Sequence, residues 1–271
     1  MSIRIIEFIQ KRERQMEPSS APKLYTSLAR YYDRLESQYR NYDEDSLWIA
    51  KVIQDPGAKS IADISCGTGN HISRLSRSNV ERFTVAMDSS KEMVSFASRK
   101  SGKNVEFARA DFLKMPFVKE TFDCAICMYW SLAGLDEELV FRLFEQVHSI
   151  LTSKGIFIFD VENSEGIREN LVGTPFVDSL FIEDNRIAVI RANYSQKIAQ
   201  DVVDWHAYYL IEEDGISKLV EDRMNLRFYS RDQLESLLSK SGFETIEVSS
   251  GPFKLYEKNS PSLYFVAQKK N

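Results

Sequence analysis

The chain has 271 residues, of which 43% are hydrophobic and 28% are charged, and its formal net charge is −5. This length allows one large domain with an insertion or two smaller domains, and the composition is typical of a globular protein with a sizeable core. A nucleic-acid partner is disfavoured because the chain is acidic and lacks a long basic run. No apolar stretch approaches the ~20 residues that cross a bilayer, so no membrane partner is predicted.

The N-terminal segment, residues 1–22, is predicted to be a tail that precedes the folded part of the chain. Ile3 to Ile9 is apolar but carries Arg4 and Glu7, so it is too short and too charged for the core of a signal peptide. We expect this stretch to pack either on the rest of the chain or on a second subunit. The second arrangement would make the protein a homodimer.

Cysteine usage indicates a reducing, cytoplasmic compartment, because the chain has three cysteines and no secretory signal. Cys124 and Cys127 form a C-x-x-C within residues 122–128, an apolar run typical of a buried strand. Residues three apart on a strand point to opposite faces, so a redox pair is not expected. Three cysteines are too few for a four-cysteine zinc site, and no metal site is predicted.

Helix and strand patterns alternate along the first part of the chain. Two helices are predicted first, over residues 24–39 and 44–53. Five strands follow over residues 61–65, 83–88, 105–108, 122–128 and 156–161, with helices over residues 70–77, 91–100 and 136–151. Because these strands are apolar on both faces and separated by helices, they favour a doubly wound α/β fold with a mostly parallel sheet.

The pattern changes after the fifth strand, where residues 186–229 alternate between polar and apolar positions. Three antiparallel strands, with a hairpin turn at Asp214-Gly215, are predicted to form a cap insertion over residues 172–229. The chain closes with a helix over residues 231–240 and strands over residues 243–249 and 263–268. The main domain accordingly spans residues 23–171 and 230–271.

A glycine-rich turn follows the first predicted strand and opens the next helix, in the run Asp63-Ile64-Ser65-Cys66-Gly67-Thr68-Gly69-Asn70. Glycines let the backbone approach a ligand closely, and the helix N-terminus offers unpaired N–H groups. A dinucleotide fingerprint requires a third glycine where this chain has Ile72, and the lysine of a phosphate-binding P-loop is absent. Asp63, just before the turn, would repel a pyrophosphate and suits a ligand with an ammonium group.

This run resembles the first motif of the class I S-adenosylmethionine-dependent methyltransferases, D-x-G-x-G-x-G, with Ser65 in place of the first glycine. The resemblance implies a Rossmann-like fold, S-adenosylmethionine as the cofactor, and methyl transfer to nitrogen or oxygen of a small-molecule acceptor. It also implies cofactor contacts from the residues Asp63, Ser65, Cys66, Gly67, Thr68 and Gly69. Because the sulfonium is already a strong methyl donor, the protein would act mainly by positioning the reactants.

The second predicted strand ends at Asp88, 25 residues after Asp63. A carboxylate at this edge of the sheet can accept hydrogen bonds from both ribose hydroxyls of an adenosine, which is its role in the resembling family. Ser89 and Met93 follow it and are expected to line the same cofactor. The alternative is that Asp88 only caps the helix that begins nearby.

Two further turns are similar to cofactor-binding segments of the family. By resemblance, Asp111 meets the adenine amino group and Phe112 borders the ring, although an aspartate in a surface turn is the plainer interpretation. After the fourth strand, Met128 and Tyr129 are expected to line the cofactor and Trp130 the acceptor pocket, with a catalytic role in positioning. The alternative for Trp130 is a position in the core.

The run Leu28-Ala29-Arg30-Tyr31-Tyr32-Asp33 looks like the L-A-x-x-Y-D of many small-molecule methyltransferases, where it forms a lid over the cofactor. Tyr25 and Tyr32 lie seven residues apart, so on a helix they would share one face. Both are expected to contact the cofactor, and Tyr32 is also a catalytic candidate. An aromatic stripe that packs on the sheet is the alternative.

The cap insertion is placed as in methyltransferases that act on small amines, including amino-sugar and glycine N-methyltransferases. The candidates to face the acceptor are Trp205, His206, Tyr208, Tyr209 and Arg223. Alternation puts Trp205 and Tyr209 on one strand face and His206 and Tyr208 on the other, so only one pair is expected to line a pocket. His206 is a candidate general base, although a single histidine more often has a structural role. Residues 131–134 contain no histidine, unlike some amino-sugar enzymes, which argues against a sugar amine.

Two other functions fit parts of the sequence. A nicotinamide-dependent oxidoreductase shares the sheet and the ribose-binding acid, but Ile72 replaces the glycine that its fingerprint needs. A catalytically idle S-adenosylmethionine-binding protein would bind the cofactor without methylating any acceptor. The motifs together favour a cytoplasmic methyltransferase with a small-molecule acceptor.

Overall fold

The computed structural model describes residues 22–54, 57–78, 81–102, 104–166, 172–173, 175–183 and 186–270. The chain divides into two compact units. The main unit comprises Leu24–Arg168 and Leu226–Asn271, and the insertion unit contains residues 169–225 together with the chain as far as Lys23. The predicted tail lies outside the described residues except for Pro22, so the homodimer that it suggested stays a prediction.

The helices and strands are as follows. Helices α1 to α6 cover Tyr32–Glu36, Tyr42–Val52, Asn70–Ser78, Lys91–Lys100, Glu137–Ile150 and Arg231–Lys240. Strands β1 to β11 cover Ser60–Asp63, Phe83–Asp88, Val105–Arg109, Phe122–Cys127, Leu151–Glu162, Phe176–Glu183, Ile187–Ala199, Val202–Glu213, Ile216–Arg227, Phe243–Ser249 and Ser262–Lys269. In the part of the chain that is described, no helix combines the length and apolar character of a membrane span.

The main unit is organised around a seven-stranded sheet in the order β10-β11-β5-β4-β1-β2-β3. Strands β1 to β5 pair in parallel, whereas β11 runs antiparallel to both β5 and β10. This confirms the predicted doubly wound, mostly parallel sheet. Because β2 lies on one side of β1 and β4 on the other, the carboxyl end of β1 is at the switch point where such sheets bind ligands.

The sheet is buried on both faces, and the two cysteines of β4 show this directly. Cys124 packs in the same cluster as Ile61, whereas Cys127 packs in the cluster on the other face, with Met87. Both cysteines are free and fully buried. Their C-x-x-C spacing therefore reflects strand geometry and not a redox pair.

The insertion unit holds a second sheet in the order β6-β7-β8-β9, one strand more than predicted. The missed strand, β6, has apolar residues at both odd and even positions (Val177 and Phe181, Phe176 and Ile182), so it lacks the alternation that marks a half-buried strand. The pairs of β7 and β8 are antiparallel, with Tyr194 opposite His206.

Burial does not tell which face of β8 is core and which would line a pocket, so the expectation that only one pair lines a pocket stays a prediction. Tyr209 is fully buried, and His206 and Tyr208 on the opposite face are only 4% and 6% exposed. Strand alternation separates the two sets of side chains, as predicted, but burial does not distinguish them.

The prediction of one continuous helix over residues 24–39 is wrong. Short 3-10 turns cover Lys23–Tyr25 and Ala29–Tyr31, and the α-helix begins only at Tyr32. Neither Leu28 nor Tyr31, which precede the second turn and α1, offers a side-chain cap. The rings of Tyr25 and Tyr32 still meet, with centroids 6.1 Å apart, so the contact expected from a helix face is made through a turn.

Candidate active site

The glycine-rich turn leaves the carboxyl end of β1 with Gly67 and Gly69 in the left-handed region, at φ +52° and +79°. The Gly67 N–H donates to the Asp88 Oδ2 over 3.0 Å, and the Cys66 N–H donates to the Met87 carbonyl over 2.9 Å. The turn and the end of β2 therefore meet, as their places on neighbouring parallel strands predict.

Asp88 is held by two backbone groups, the Gly67 N–H on one oxygen and, over 2.9 Å, the Ser90 N–H on the other. Burial raises the pKa of Asp88 above its ordinary value, and the surrounding N–H groups oppose that shift. The cap of α4 is Ser90, whose hydroxyl accepts from the Met93 N–H over 3.2 Å. Capping is therefore not the role of Asp88, and each of its oxygens keeps a lone pair for a ligand.

Asp63 ends β1 and is almost completely buried, at 2% exposed. Burial raises its pKa to about 8, although a hydrogen bond from the Ser65 backbone opposes the shift. At neutral pH the neutral acid is thus favoured. A ligand ammonium group placed beside Asp63 would favour the carboxylate and lower that pKa.

We expect Asp63 to make the stability of the protein depend on pH. The folded state keeps its proton up to about pH 8, whereas the unfolded chain releases it above an ordinary pKa of about 3.9. The stabilisation is complete below about pH 4 and is lost as the pH rises towards about 8, by up to roughly 1.4 kcal/mol per pH unit. Urea unfolding between about pH 5 and 8 should therefore show a steeper decline for the wild-type protein than for Asp63→Asn. Parallel curves for the two proteins would contradict this account.

The segment that resembles a lid is fastened to the glycine-rich turn by Asp33. Its carboxylate accepts hydrogen bonds from the Thr68 hydroxyl over 2.5 Å and from the Asn70 amide over 2.9 Å. The carbonyl of Tyr25 accepts from the Ser90 hydroxyl over 2.5 Å. The segment thus contacts both the turn and the start of α4, and its role as a lid over the cofactor stays a prediction.

The loop after β4 has an unusual backbone. Tyr129 and Trp130 adopt φ values of +68° and +57°, a region that costs a bulky residue of order 1–3 kcal/mol. Asp160 of β5 stabilises the loop by accepting the Tyr129 N–H over 2.5 Å. Met128 is buried, and the buried indole N–H of Trp130 meets no acceptor among the described residues. Such strain and an unmatched donor are typical of functional sites.

A buried ionic network that the sequence does not reveal surrounds Asp160. Arg40 pairs with Asp45 and, over 2.6 Å, with Asp160. His71 lies 3.1 Å from Asp45, and the Tyr264 hydroxyl donates to Asp45 over 3.2 Å. Burial alone would lower the pKa of Arg40, but Asp160, Tyr264 and Asp45 raise it. Burial also lowers the pKa of His71, which favours its neutral ring.

Glu36 of α1 is a second feature that sequence reasoning missed. It is buried, and the Tyr129 hydroxyl donates to its Oε2 over 2.6 Å. The rings of Tyr42 and Trp130 flank Tyr129, with centroids 5.9 and 5.4 Å away. The one available signal was that Glu36 lies four residues after Tyr32, hence on the same face of a helix.

Residues 61–155, from β1 into β5, match the family model described as a methyltransferase domain. Together with the order of the sheet, this match shows that the protein is an S-adenosylmethionine-dependent methyltransferase with the class I fold. This confirms the predicted fold and enzyme class, and it replaces the oxidoreductase alternative.

Similar proteins match nearly the whole of this methyltransferase. An S-adenosylmethionine-dependent methyltransferase from Clostridium acetobutylicum ATCC 824 has a TM-score of 0.77 at 21% identity, covering 90% of this chain and 98% of that one. The sugar N-methyltransferase KedS8 from Streptoalloteichus sp. ATCC 53650 has a TM-score of 0.76 at 21% identity, covering 95% and 97%. The glycine/sarcosine N-methyltransferase of Aphanothece halophytica is 21% identical over 252 residues, which are 89% of this chain and 87% of the relative.

Several residues of the methyltransferase that are predicted to contact the cofactor have surroundings that would also suit a purely structural role. Asp111 is exposed and accepts the Leu113 N–H over 2.8 Å, which is the geometry of an aspartate in a surface turn. Phe112 is half-buried and packs on the core, Ser89 is exposed and Met93 is buried. Their contacts with a cofactor stay predictions.

Within the insertion unit, His206 is part of a buried polar cluster. Its Nε2 lies 3.1 Å from the Asp204 Oδ2, and Arg223 donates to both oxygens of the same carboxylate. Burial raises the pKa of Asp204, but hydrogen bonds from Arg223 and His206 lower it overall. This pairing is what a structural histidine shows, and a role for His206 as a base stays a prediction. Across the described ranges, no group of side chains is arranged to hold a metal ion.

Proposed function

We propose that this methyltransferase transfers the methyl group of S-adenosylmethionine to the nitrogen of a small amine. The observation that carries the proposal is the 3.0 Å hydrogen bond from the Gly67 N–H to Asp88, which joins the glycine-rich turn to the carboxylate that we propose as the ribose ligand. An amine acceptor is supported by the names of two similar proteins, a glycine/sarcosine N-methyltransferase and a sugar N-methyltransferase.

The main unit fits an adenosine that carries an amino acid. Asp88 has a lone pair on each oxygen for two ribose hydroxyls, and a Cβ added to Gly67 would meet no atom within 4 Å, so the space beside the turn is open. We propose that the turn and Asp88 hold the cofactor, together with Met128, Tyr129 and the lid tyrosines. When bound, S-adenosylmethionine supplies an electrophilic methyl group, and its sulfur keeps the electron pair of the broken S–C bond.

Positioning accounts for the catalytic roles proposed for Tyr32 and Trp130. Burial, with Tyr42 and Glu36, raises the pKa of Tyr32 well above its ordinary value, so its hydroxyl acts as a hydrogen-bond donor and not as a phenolate base. A neutral amine needs no strong base, and correct orientation of two bound reactants is itself a large contribution to rate.

Replacement by alanine should have different effects at Gly67 and at Gly69. A Cβ on Gly69 would lie 2.9 Å from the Cβ of Ala97, so Gly69→Ala should lower the free energy of unfolding by about 2–4 kcal/mol through overpacking added to left-handed strain. Gly67→Ala should lower it by only about 1–2 kcal/mol, from strain alone, while weakening binding of S-adenosylhomocysteine. Urea unfolding and calorimetry on both variants test this. Equal stabilities, or unchanged binding by Gly67→Ala, would contradict it.

The proposed function is tested by binding and by activity. Calorimetry should show binding of S-adenosylhomocysteine and none of NAD. A panel of amines, alcohols and acids with radiolabelled S-adenosylmethionine should show methyl transfer to amines. Transfer only to alcohols would overturn the choice of nitrogen, and binding without any transfer would favour the idle binding protein.

We further propose a cytoplasmic enzyme that acts on a small acceptor and uses neither nucleic acid nor a membrane as a partner. The support is chemical: Cys66, Cys124 and Cys127 are all free and buried, as is usual in a reducing compartment.

A further inference from the structure

A group of four polar side chains in the main unit joins α1, the glycine-rich turn and α4. We call it the Lys100 latch, and its members are Asp33, Thr68, Asn70 and Lys100. Lys100, the last residue of α4, donates to the Asp33 Oδ2 over 2.5 Å. The same ammonium group donates to the Asn70 Oδ1 over 2.8 Å and to the Thr68 Oγ1 over 3.2 Å. An ammonium has three hydrogens, so the latch occupies every donor of Lys100.

The Asp33 carboxylate is the centre of the Lys100 latch. One of its oxygens accepts from the Thr68 hydroxyl and the Asn70 amide, and the other accepts from Lys100. The Asn70 amide is oriented by the same contacts, because its nitrogen donates to Asp33 while its oxygen accepts from Lys100. Loss of the ammonium would therefore weaken two attachments of the turn, the ion pair and the oriented amide.

The segment from Tyr25 to Asp33, which we call the lid segment, is attached at both of its ends. At one end the Tyr25 carbonyl accepts from the Ser90 hydroxyl over 2.5 Å, and the Ser90 N–H is bonded to Asp88. At the other end the latch holds Asp33 on the turn, one residue to either side of Gly69. The two attachments thus lie beside the two groups proposed to hold the cofactor, the Asp88 carboxylate and the glycine-rich turn.

The local structure of the lid segment does not fix its position. It consists of 3-10 turns without side-chain caps and the start of α1, a helix of only five residues, and helices this short are marginal by themselves. Leu28 and Leu35 are buried and anchor its apolar side. On its polar side, the Lys100 and Asp33 side chains are 27% and 43% exposed, so water can reach the ion pair. The latch can therefore open without exposing the core.

We propose that the Lys100 latch retains the bound cofactor product, so that its opening controls the release of S-adenosylhomocysteine. This rests on the proposed function. Asp33 and Lys100 act through Thr68 and Asn70, and they are positioning residues, not catalytic ones. Product release and the opening of a covering segment set the turnover rate of many enzymes, so a latch at this place governs more than affinity.

The test measures the dissociation rate of S-adenosylhomocysteine from the immobilised full chain by surface plasmon resonance. Lys100→Met keeps the apolar stem and removes the ammonium, and it should raise the dissociation rate about 3- to 10-fold, the scale of one exposed ion pair with its hydrogen bonds. Lys91→Met, the same change at the exposed first residue of α4, is the control and should behave as wild type.

A double variant tests whether Asp33 and Lys100 act as one unit. Asp33→Asn should raise the dissociation rate as Lys100→Met does, and the two changes together should raise it little further, because both remove the same interaction. Salt supplies a second readout. Raising NaCl from about 0.05 to 0.5 M should speed dissociation from the wild-type protein, because an exposed pair is screened, and should have much less effect on Lys100→Met.

Three results would overturn the proposal. A dissociation rate unchanged in Lys100→Met would show that the latch does not retain the product. Increases that multiply in the double variant would show that Asp33 and Lys100 act separately. A urea midpoint clearly lower for Lys100→Met than for Lys91→Met would assign the ion pair to the stability of the fold and not to positioning.

Hydrogen exchange of the ligand-free protein tests the latch without any cofactor. The amides of Ala29, Tyr31 and Ser37 donate to carbonyls within or next to the lid segment. They should exchange faster in Lys100→Met than in the wild-type protein or in Lys91→Met, because the segment opens more often. Equal exchange in all three proteins would contradict the latch. Failure of the wild-type protein to bind S-adenosylhomocysteine, with faster exchange in Lys100→Met, would contradict only the proposed function.

Discussion

Replacing Arg40 by methionine is expected to lower the free energy of unfolding by about 3–5 kcal/mol, because Asp45 and Asp160 would remain buried without their cation. Arg40 itself is 8% exposed, so water cannot replace it. Urea unfolding monitored by circular dichroism gives the change directly, as a shift in midpoint at constant slope.

The matched control for Arg40→Met is Arg231→Met. Arg231 also pairs with a carboxylate, that of Glu235 one turn along α6, but both side chains are about one-third exposed. Its loss should be no more than about 1 kcal/mol. An equal loss of free energy of unfolding in the two variants would show that the buried network stabilises the fold no more than an exposed ion pair does. Neutralising Asp45 and Asp160 to asparagine beside Arg40→Met should recover part of the loss, since no buried charge is then left unpaired.

Replacing Asp88 by alanine is expected to weaken binding of S-adenosylhomocysteine by about 1–3 kcal/mol, or roughly 5- to 150-fold in Kd. The variant would lose the acceptors for two ribose hydroxyls and also the oxygen that holds the Gly67 N–H. Calorimetry measures the Kd, and Glu92→Gln, an exposed position on the adjacent helix α4, is the control. An unchanged Kd for Asp88→Ala would count against the ribose contact, even if the protein still binds the cofactor elsewhere.

Local patterns were enough for most of the fold. Strands β2 and β10 and helices α4 and α6 have the predicted bounds, because hydrophobic periodicity and caps such as the Ser230–Gln233 box act within a few residues. Prediction failed where a segment gives no periodic or capping signal. Strand β6 lacks alternation, and the segment before α1 lacks side-chain caps. The conformation of both is therefore determined by packing in the folded chain.

The sequence alone predicted that the two segments proposed to hold the cofactor lie side by side. The glycine-rich turn and Asp88 each follow a parallel strand, and neighbouring parallel strands end at one edge, so their meeting follows from the order of elements. Only the tertiary structure placed Arg40 against Asp160, 120 residues away, and Glu36 against Tyr129, 93 residues away. No periodicity or motif reports such contacts, because a buried charge acquires its partner only when distant segments pack and exclude water.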